Sequence, residues 1–289
     1  MSGPFRNTIR IVDPVCESGT GSKQNLSIEL LPDGFVFSLL DVESFRYIAL
    51  EAYRQEHNGH ISHYLKHLGG FMQENSLLNR PFERISVSCY SPQLVIVPND
   101  LYRHDDQEAT YGFCASLQPK YHVRSDILNN MQSRAIYAVP DQVISFCEEH
   151  MPGYRLRHHG SVLIESVMAA QSIENWQADM VLHVKPRHFD VMILEKNKLN
   201  YFQSFEIQCF DDLLYYLFYV LQQHEMPAAK LRLVLLGELA MDSEHYALLQ
   251  SFFGEVRIPE RNDMYQYGED FEKVPYHFFF NLLNLDTCG

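Results

Sequence analysis

Residues 178–208 read ADMVLHVKPRHFDVMILEKNKLNYFQSFEIQ, and residues 24–54 read QNLSIELLPDGFVFSLLDVESFRYIALEAYR. Displaced by 154 positions (178 − 24), the two stretches align without a gap. Met180 falls on Leu26, Leu182 on Ile28, Val184 on Leu30, Pro186 on Pro32 and Phe189 on Phe35. Val191 falls on Phe37, Ile193 on Leu39, Glu195 on Asp41 and Tyr201 on Tyr47. A shared offset over this length marks an internal repeat. Both copies read as three short strands joined by tight turns. In the first, Leu26, Ile28 and Leu30 alternate with Asn25, Ser27 and Glu29, the pattern of a strand with one face in the core and one in water. Pro32-Asp33-Gly34 then supplies turn chemistry, proline fixing φ and glycine accepting a positive one.

Outward from the repeat, each meander leads into alternating helices and strands. Residues 60–79 carry Ile61, Tyr64, Leu65, Leu68 and Met72 at helical spacing. Strands are expected at 82–87 and 93–97, a helix through 101–113 capped by Asp100, and a hairpin of 121–128 with 132–139 turning at Asn129-Asn130. Residues 135–170 read as strand, helix, strand, helix, with Ser161 capping the second helix, which implies parallel pairing. After the second meander come an apolar helix from Asp211 to Gln223, a strand at 230–236, a helix at 242–253 and a strand at 255–258. Residues 260–272 read as an acidic surface loop, and 275–285 as a final helix apolar on all sides. The polar stretch 171–177 suggests a boundary. The expected organisation is therefore two halves, 1–175 and 176–289, the first carrying an insertion at about 91–128.

Composition narrows the function classes. The 289 residues are 46% hydrophobic and 21% charged, with a formal net charge of −14. Such a chain can bury a core, and it lacks the basic face that nucleic acid or an anionic membrane requires. The six cysteines form no CxxC pair, so free thiols in a reducing compartment are expected. The N-terminus has Arg6 and Arg10 but no apolar core after them, and the longest apolar run, 213–221, is too short for a membrane helix. A cytoplasmic protein is expected.

The duplicated layout, over residues 135–170 and 178–255 above all, resembles the actin-like ATPase superfamily. Within it the pattern looks like the bacterial pilus-assembly and cell-division actin homologues and the cytoplasmic domains of secretion-system L proteins. The whole chain, with LSIELLPDGFVFSLLD at residues 26–41, resembles an uncharacterised bacterial family of unknown function grouped with that fold. The resemblance implies an α/β protein of two ribonuclease H-like halves, each βββαβαβα, around a nucleotide cleft. Active members carry Asp-x-Gly in the first hairpin of each half. The carboxylate holds metal and attacking water, and the glycine lets backbone N–H groups approach phosphate. A Gly-Gly after a late strand of the second half makes room for adenosine. Here the matching positions are Glu29-Leu30-Leu31, His183-Val184-Lys185, and a single Gly237 followed by Glu238. Both phosphate glycines are missing, although a slipped register would bring Asp33 and Gly34 into the first hairpin. The cleft candidates are thus Glu29, Asp33, Gly34, His183, Lys185 and Gly237, with Lys185 the one feature favouring phosphate.

Other constellations have plainer readings. Gly19-Thr20-Gly21-Ser22-Lys23 precedes a strand, whereas a P-loop follows one. His60, His63 and His67 lie on one side of the expected helix and, with Glu56 or His57, are metal-ligand candidates; the alternative is a solvated flank. Ser161 beside His158-His159 has no nucleophile elbow around it and reads as a helix cap, and Cys147, three residues before His150, falls on the buried stripe, where thiols are inert. The expectation is a non-enzymatic protein-interaction scaffold with a degenerate nucleotide site, no required cofactor and a protein partner. That partner would meet the insertion at 101–118 or the aromatic segment 276–285. The alternatives are an ATP/Mg-binding switch or weak ATPase, and a small-molecule enzyme using histidine or cysteine in the same cleft.

Overall fold

In the computed structural model, residues 5–17, 23–55, 60–171, 176–261 and 263–287 are described. The Gly19–Ser22 part of the leader motif, Glu56, His57, most of the expected boundary (172–175) and Cys288 lie outside them.

The chain opens with β1 (Phe5–Val12), a turn of helix α1 (Pro14–Glu17), and the meander β2 (Gln24–Leu31), β3 (Gly34–Asp41) and β4 (Arg46–Gln55). Helix α2 (Ile61–Glu74), β5 (Arg84–Cys89), β6 (Leu94–Pro98), α3 (Gln107–Cys114), β7 (Tyr121–Leu128), β8 (Ser133–Pro140), α4 (Asp141–His150), β9 (Arg155–His158) and α5 (His159–Ala170) follow. The second meander is β10 (Met180–Val184), β11 (His188–Glu195) and β12 (Lys198–Glu206). Then come α6 (Phe210–Gln223), β13 (Arg232–Gly237), α7 (Glu244–Phe252), β14 (Glu255–Arg257), β15 (Gln266–Tyr267) and α8 (Phe280–Asn284).

The two large sheets share one topology. The first runs β1-β4-β3-β2-β5-β9, the second β12-β11-β10-β13-β14. In each, an antiparallel meander is extended by two parallel strands. The repeat offset survives in space, because β3 shifted by 154 residues is β11. A three-stranded antiparallel sheet, β6-β8-β7, is inserted in the first repeat. Residues 135–139 therefore belong to this small sheet as part of β8, and the parallel pairing expected of them is made by β9 on β5.

Three apolar layers hold the frame. Leu26, Ile28 and Leu30 pack under α2 and α4 with Leu65, Leu68, Val143 and Phe146. Met180, Leu182, Phe189 and Val191 pack under α6 and α7 with Leu213, Leu217 and Leu249. The third layer lies between the sheets, where Val36, Leu50, Val181 and Met192 meet α5 and the C-terminal residues Phe279, Phe280 and Leu283.

That middle layer corrects the half-exposed reading of residues 25–31. All eight residues of β2 are buried. Its polar face, Asn25, Ser27 and Glu29, is covered by the returning C-terminus and by the second sheet. Asn25 donates to both carboxylate oxygens of Asp286 at 3.1 and 3.0 Å, and Tyr47 Oη donates to the Leu283 carbonyl at 2.6 Å. The stretch 260–272 is no plain loop, because β15 pairs with β4 and Phe271 is buried in a 3₁₀ turn. Residues 276–285 form a 3₁₀ turn followed by α8, with Tyr276, Phe279 and Phe280 in the core. They cannot serve as the contact surface expected of them. Three caps also differ. The helix expected through 101–113 begins only at Gln107, with Asp106 at its N-cap, and Asp100 lies in the turn after β6. The α5 N-cap is His158, whose Nδ1 accepts from Gly160 N at 2.9 Å, and Ser161 sits buried in the first turn. The α6 N-cap is Cys209, with Asp212 reaching back to its backbone, and Asp211 lies within the helix.

Candidate functional site

The first hairpin of each repeat points toward the cleft between the sheets, and the charged side chains there pair with one another. Glu29, on β2, and Lys185, just past β10, are 1% and 2% exposed. Lys185 Nζ lies 3.3 Å from Glu29 Oε2 and 3.5 Å from Glu238 Oε1, and it donates to the Phe278 carbonyl at 3.5 Å. Arg54 donates to both carboxylate oxygens of Glu238 and lies 3.5 Å from Asp33. Burial opposes charge on Lys185, but Glu29 and Glu238 outweigh it, so the amine stays protonated above the ordinary lysine range. Burial likewise opposes ionisation of Glu238, and Lys185 and Arg54 reverse that, holding its carboxyl below the usual range. An ion pair of this kind persists only when each charge is matched. Of the candidates, Glu29, Asp33 and Lys185 thus meet in one cluster, with Arg54 and Glu238 completing it.

The two glycines serve the backbone. Gly237 has φ +85°, and a Cβ there would lie 2.0 Å from the Val184 carbonyl oxygen. A Cβ at Gly34 would lie 2.0 Å from the Tyr53 carbonyl oxygen. Only glycine admits such approach. In both cases the space is taken by a neighbouring strand of the same chain.

His183 joins a different group. It lies opposite Asp190 in the β10–β11 register, so both side chains share the face toward the cleft. Asp190 is fully buried. Its Oδ2 lies 2.8 Å from His183 Nδ1 and its Oδ1 lies 2.9 Å from His159 Nε2; Ser204 Oγ also donates to Oδ1. His188 completes the group, packed against Tyr90 with ring centroids 4.1 Å apart and the ring planes tilted by 39°. One donor atom each from His159, His188 and Asp190 lies within 4.8 Å of the others. Burial raises the Asp190 carboxyl, and the charge and hydrogen bonds of His159 with the hydrogen bond of His183 more than reverse this, leaving it well below the usual range. Burial holds His188 neutral, far below the ordinary histidine value.

Sequence reasoning did not assemble this group, because only strand register and the β9–α5 junction unite residues 90, 159, 183, 188 and 190. The available signal was alternation along β11, which puts His188 and Asp190 on one face.

The helical histidines sit elsewhere. His63 and His67 Nε2 atoms are 3.1 Å apart on the exposed side of α2, and His60 precedes the helix. Cys147 is buried, and burial pushes its thiol up to about 12, so it offers no thiolate. Among the described residues, Cys16, Cys89, Cys114, Cys147 and Cys209 form no disulfide. Among the described residues, no helix is long and apolar enough to cross a membrane.

A family described as "Protein of unknown function (DUF3822)" matches residues 16–256. The fold is similar to that of a Bacteroides thetaiotaomicron protein with actin-like ATPase fold and unknown function, at 22% identity and TM-score 0.70, over 82% of this chain and 91% of that one. It is also similar to a structure of the PilM–PilN type IV pilus biogenesis complex, at 13% identity and TM-score 0.66, over 91% of this chain and 97% of that one. At these identities the likeness is one of fold, and the chain has the actin-like ATPase fold. No curated protein matches the sequence.

Proposed function

We propose that this chain, which belongs to the DUF3822 family of proteins of unknown function, is a protein-binding scaffold on an actin-like frame whose nucleotide position has been given over to internal ion pairing. The carrying observation is the buried cluster of Lys185 with Glu29 and Glu238, extended by Arg54 and Asp33. Three carboxylates against two cations give the cluster a formal charge of −1, which repels a triphosphate. A ligand phosphate would also have to break ion pairs already desolvated, and their broken halves would then be uncompensated. The glycine positions add no phosphate-sized gap, since Val184 and Tyr53 carbonyls fill them.

For partner binding, support comes from the inserted sheet. Leu101, in the turn after β6, is 73% exposed and Phe113, on α3, is 91% exposed, and exposed apolar residues in one inserted module favour a protein contact. Residues 101–118 remain the proposed contact surface. The PilM likeness agrees in kind, since that protein is seen in a complex with PilN.

Thermal unfolding with ATP or GTP at millimolar concentration, with and without Mg²⁺, tests the reading. No change in midpoint is expected. A ligand at 100 times its Kd would add about 2.7 kcal/mol of apparent stability. A Mg²⁺-dependent stabilisation of that size would overturn the scaffold reading in favour of a nucleotide switch, with Lys185 and Arg54 released to phosphate.

A further inference from the structure

We propose that His159, His188 and Asp190 form a binding site for a single divalent transition-metal ion of the zinc class, buried between the sheets beside the ion cluster. Two imidazoles and one carboxylate are a donor set that such ions prefer. Their donor atoms lie within 4.8 Å of one another. A tetrahedral ion with bonds of about 2.0–2.1 Å spaces its donors ~3.4 Å apart. The widest pair therefore has at most about 1.4 Å to close.

Two further observations point to a cation. First, Asp190 is wholly buried, and among the described residues no lysine or arginine lies within ion-pair distance of it; its partners are imidazoles and a hydroxyl. A buried carboxylate demands a counter-charge, and a bound dication supplies it. Second, each buried histidine of the group keeps a ring nitrogen with no hydrogen-bond partner: Nδ1 of His159, Nε2 of His183 and Nδ1 of His188. Buried polar atoms are ordinarily satisfied. Each ring, when neutral, offers one lone pair, which a Lewis acid takes in competition with a proton. His183 is then the residue that orients Asp190, the outer hydrogen bond that ligating carboxylates carry.

The test uses the full chain without a polyhistidine tag, in an H63A/H67A background that removes the exposed pair on α2. The protein is loaded with Zn²⁺, passed through a desalting column, and its metal content measured. Co²⁺ loading gives a visible spectrum that reports coordination directly. About one equivalent of zinc per chain is expected to be retained, with four-coordinate Co²⁺ bands. The D190N and H188Q variants are each expected to weaken Zn²⁺ binding, in competition with a chromophoric chelator, at least 10-fold. Retention below about 0.1 equivalent in the H63A/H67A protein would overturn the proposal. Equal retention by D190N and H188Q would do the same. If either variant fails to fold by circular dichroism, the Co²⁺ spectrum of the H63A/H67A protein decides: four-coordinate bands support the site and octahedral ones overturn it.

Discussion

Replacing Lys185 with methionine probes the ion cluster at its centre. The side chain keeps its length and loses its charge. Among the described residues, Glu29, 1% exposed, then has no cation within ion-pair distance, and Glu238 keeps only Arg54. Removing one member of a buried pair costs about 3–5 kcal/mol, because the remaining charge is stranded. Unfolding entropy of about 2.1 cal/mol/K per residue gives ~0.6 kcal/mol/K for 289 residues, so the midpoint should fall by about 5–8 °C. Adding E29Q should return part of the loss, with a coupling of about 1–3 kcal/mol in the double-mutant cycle. The pH dependence has a worked sign. Glu238 is lowered in the fold, so its contribution is complete above its ordinary value of 4.5 and lost as acid protonates it below that. Lys185 is raised, so its contribution is complete below its ordinary 10.5 and lost as pH climbs past its folded value. Denaturation followed by fluorescence of Trp176, 8% exposed, and by calorimetry reads these changes. A K185M protein within about 1 kcal/mol of the parent, or strictly additive single changes, would refute the cluster as a structural clamp.

Gly237→Ala should cost at least ~2 kcal/mol in urea denaturation, from the positive φ and the clash with the Val184 carbonyl; a neutral result would free Gly237 for a ligand role. Tyr47→Phe should cost about 1–2 kcal/mol by removing the buried hydrogen bond to Leu283, and hydrogen exchange in α8 should quicken; unchanged protection there would refute that tie. Under native conditions a thiol reagent should label Cys114 and Cys209 quickly, whereas Cys16, Cys89 and Cys147 should react only on unfolding. Fast labelling of Cys147 would contradict its burial.

The frame was legible in the sequence because repetition and alternation are local properties. Leu26, Ile28 and Leu30 show their period within seven residues, and Met180 to Ile193 repeat it at a fixed distance. The polar face of β2 was misread for the same reason. Alternation says that Asn25, Ser27 and Glu29 share a side, but not that Asp286 and Lys185 come to cover it from 261 and 156 residues away. The site followed the same division. Glu29 and Lys185 were found by their place in matching hairpins. Arg54 was missed, and Glu238 was noted only as the residue after Gly237, because their partners are set by sheet packing. The histidine group lay deeper still, since it needs the register of β10 on β11 and the entry of α5 at once.

The closing of β2 by the C-terminus has a consequence for biosynthesis. Asn25 leaves the ribosome 261 residues before the aspartate that receives its hydrogen bonds. At about 5–20 residues per second, that is roughly 13–50 s of waiting. During that interval the nascent first sheet carries polar groups and an unmatched glutamate meant for an interior that does not yet exist. Its final packing thus comes late in synthesis, and a chain stalled before residue 276 should present this face to chaperones.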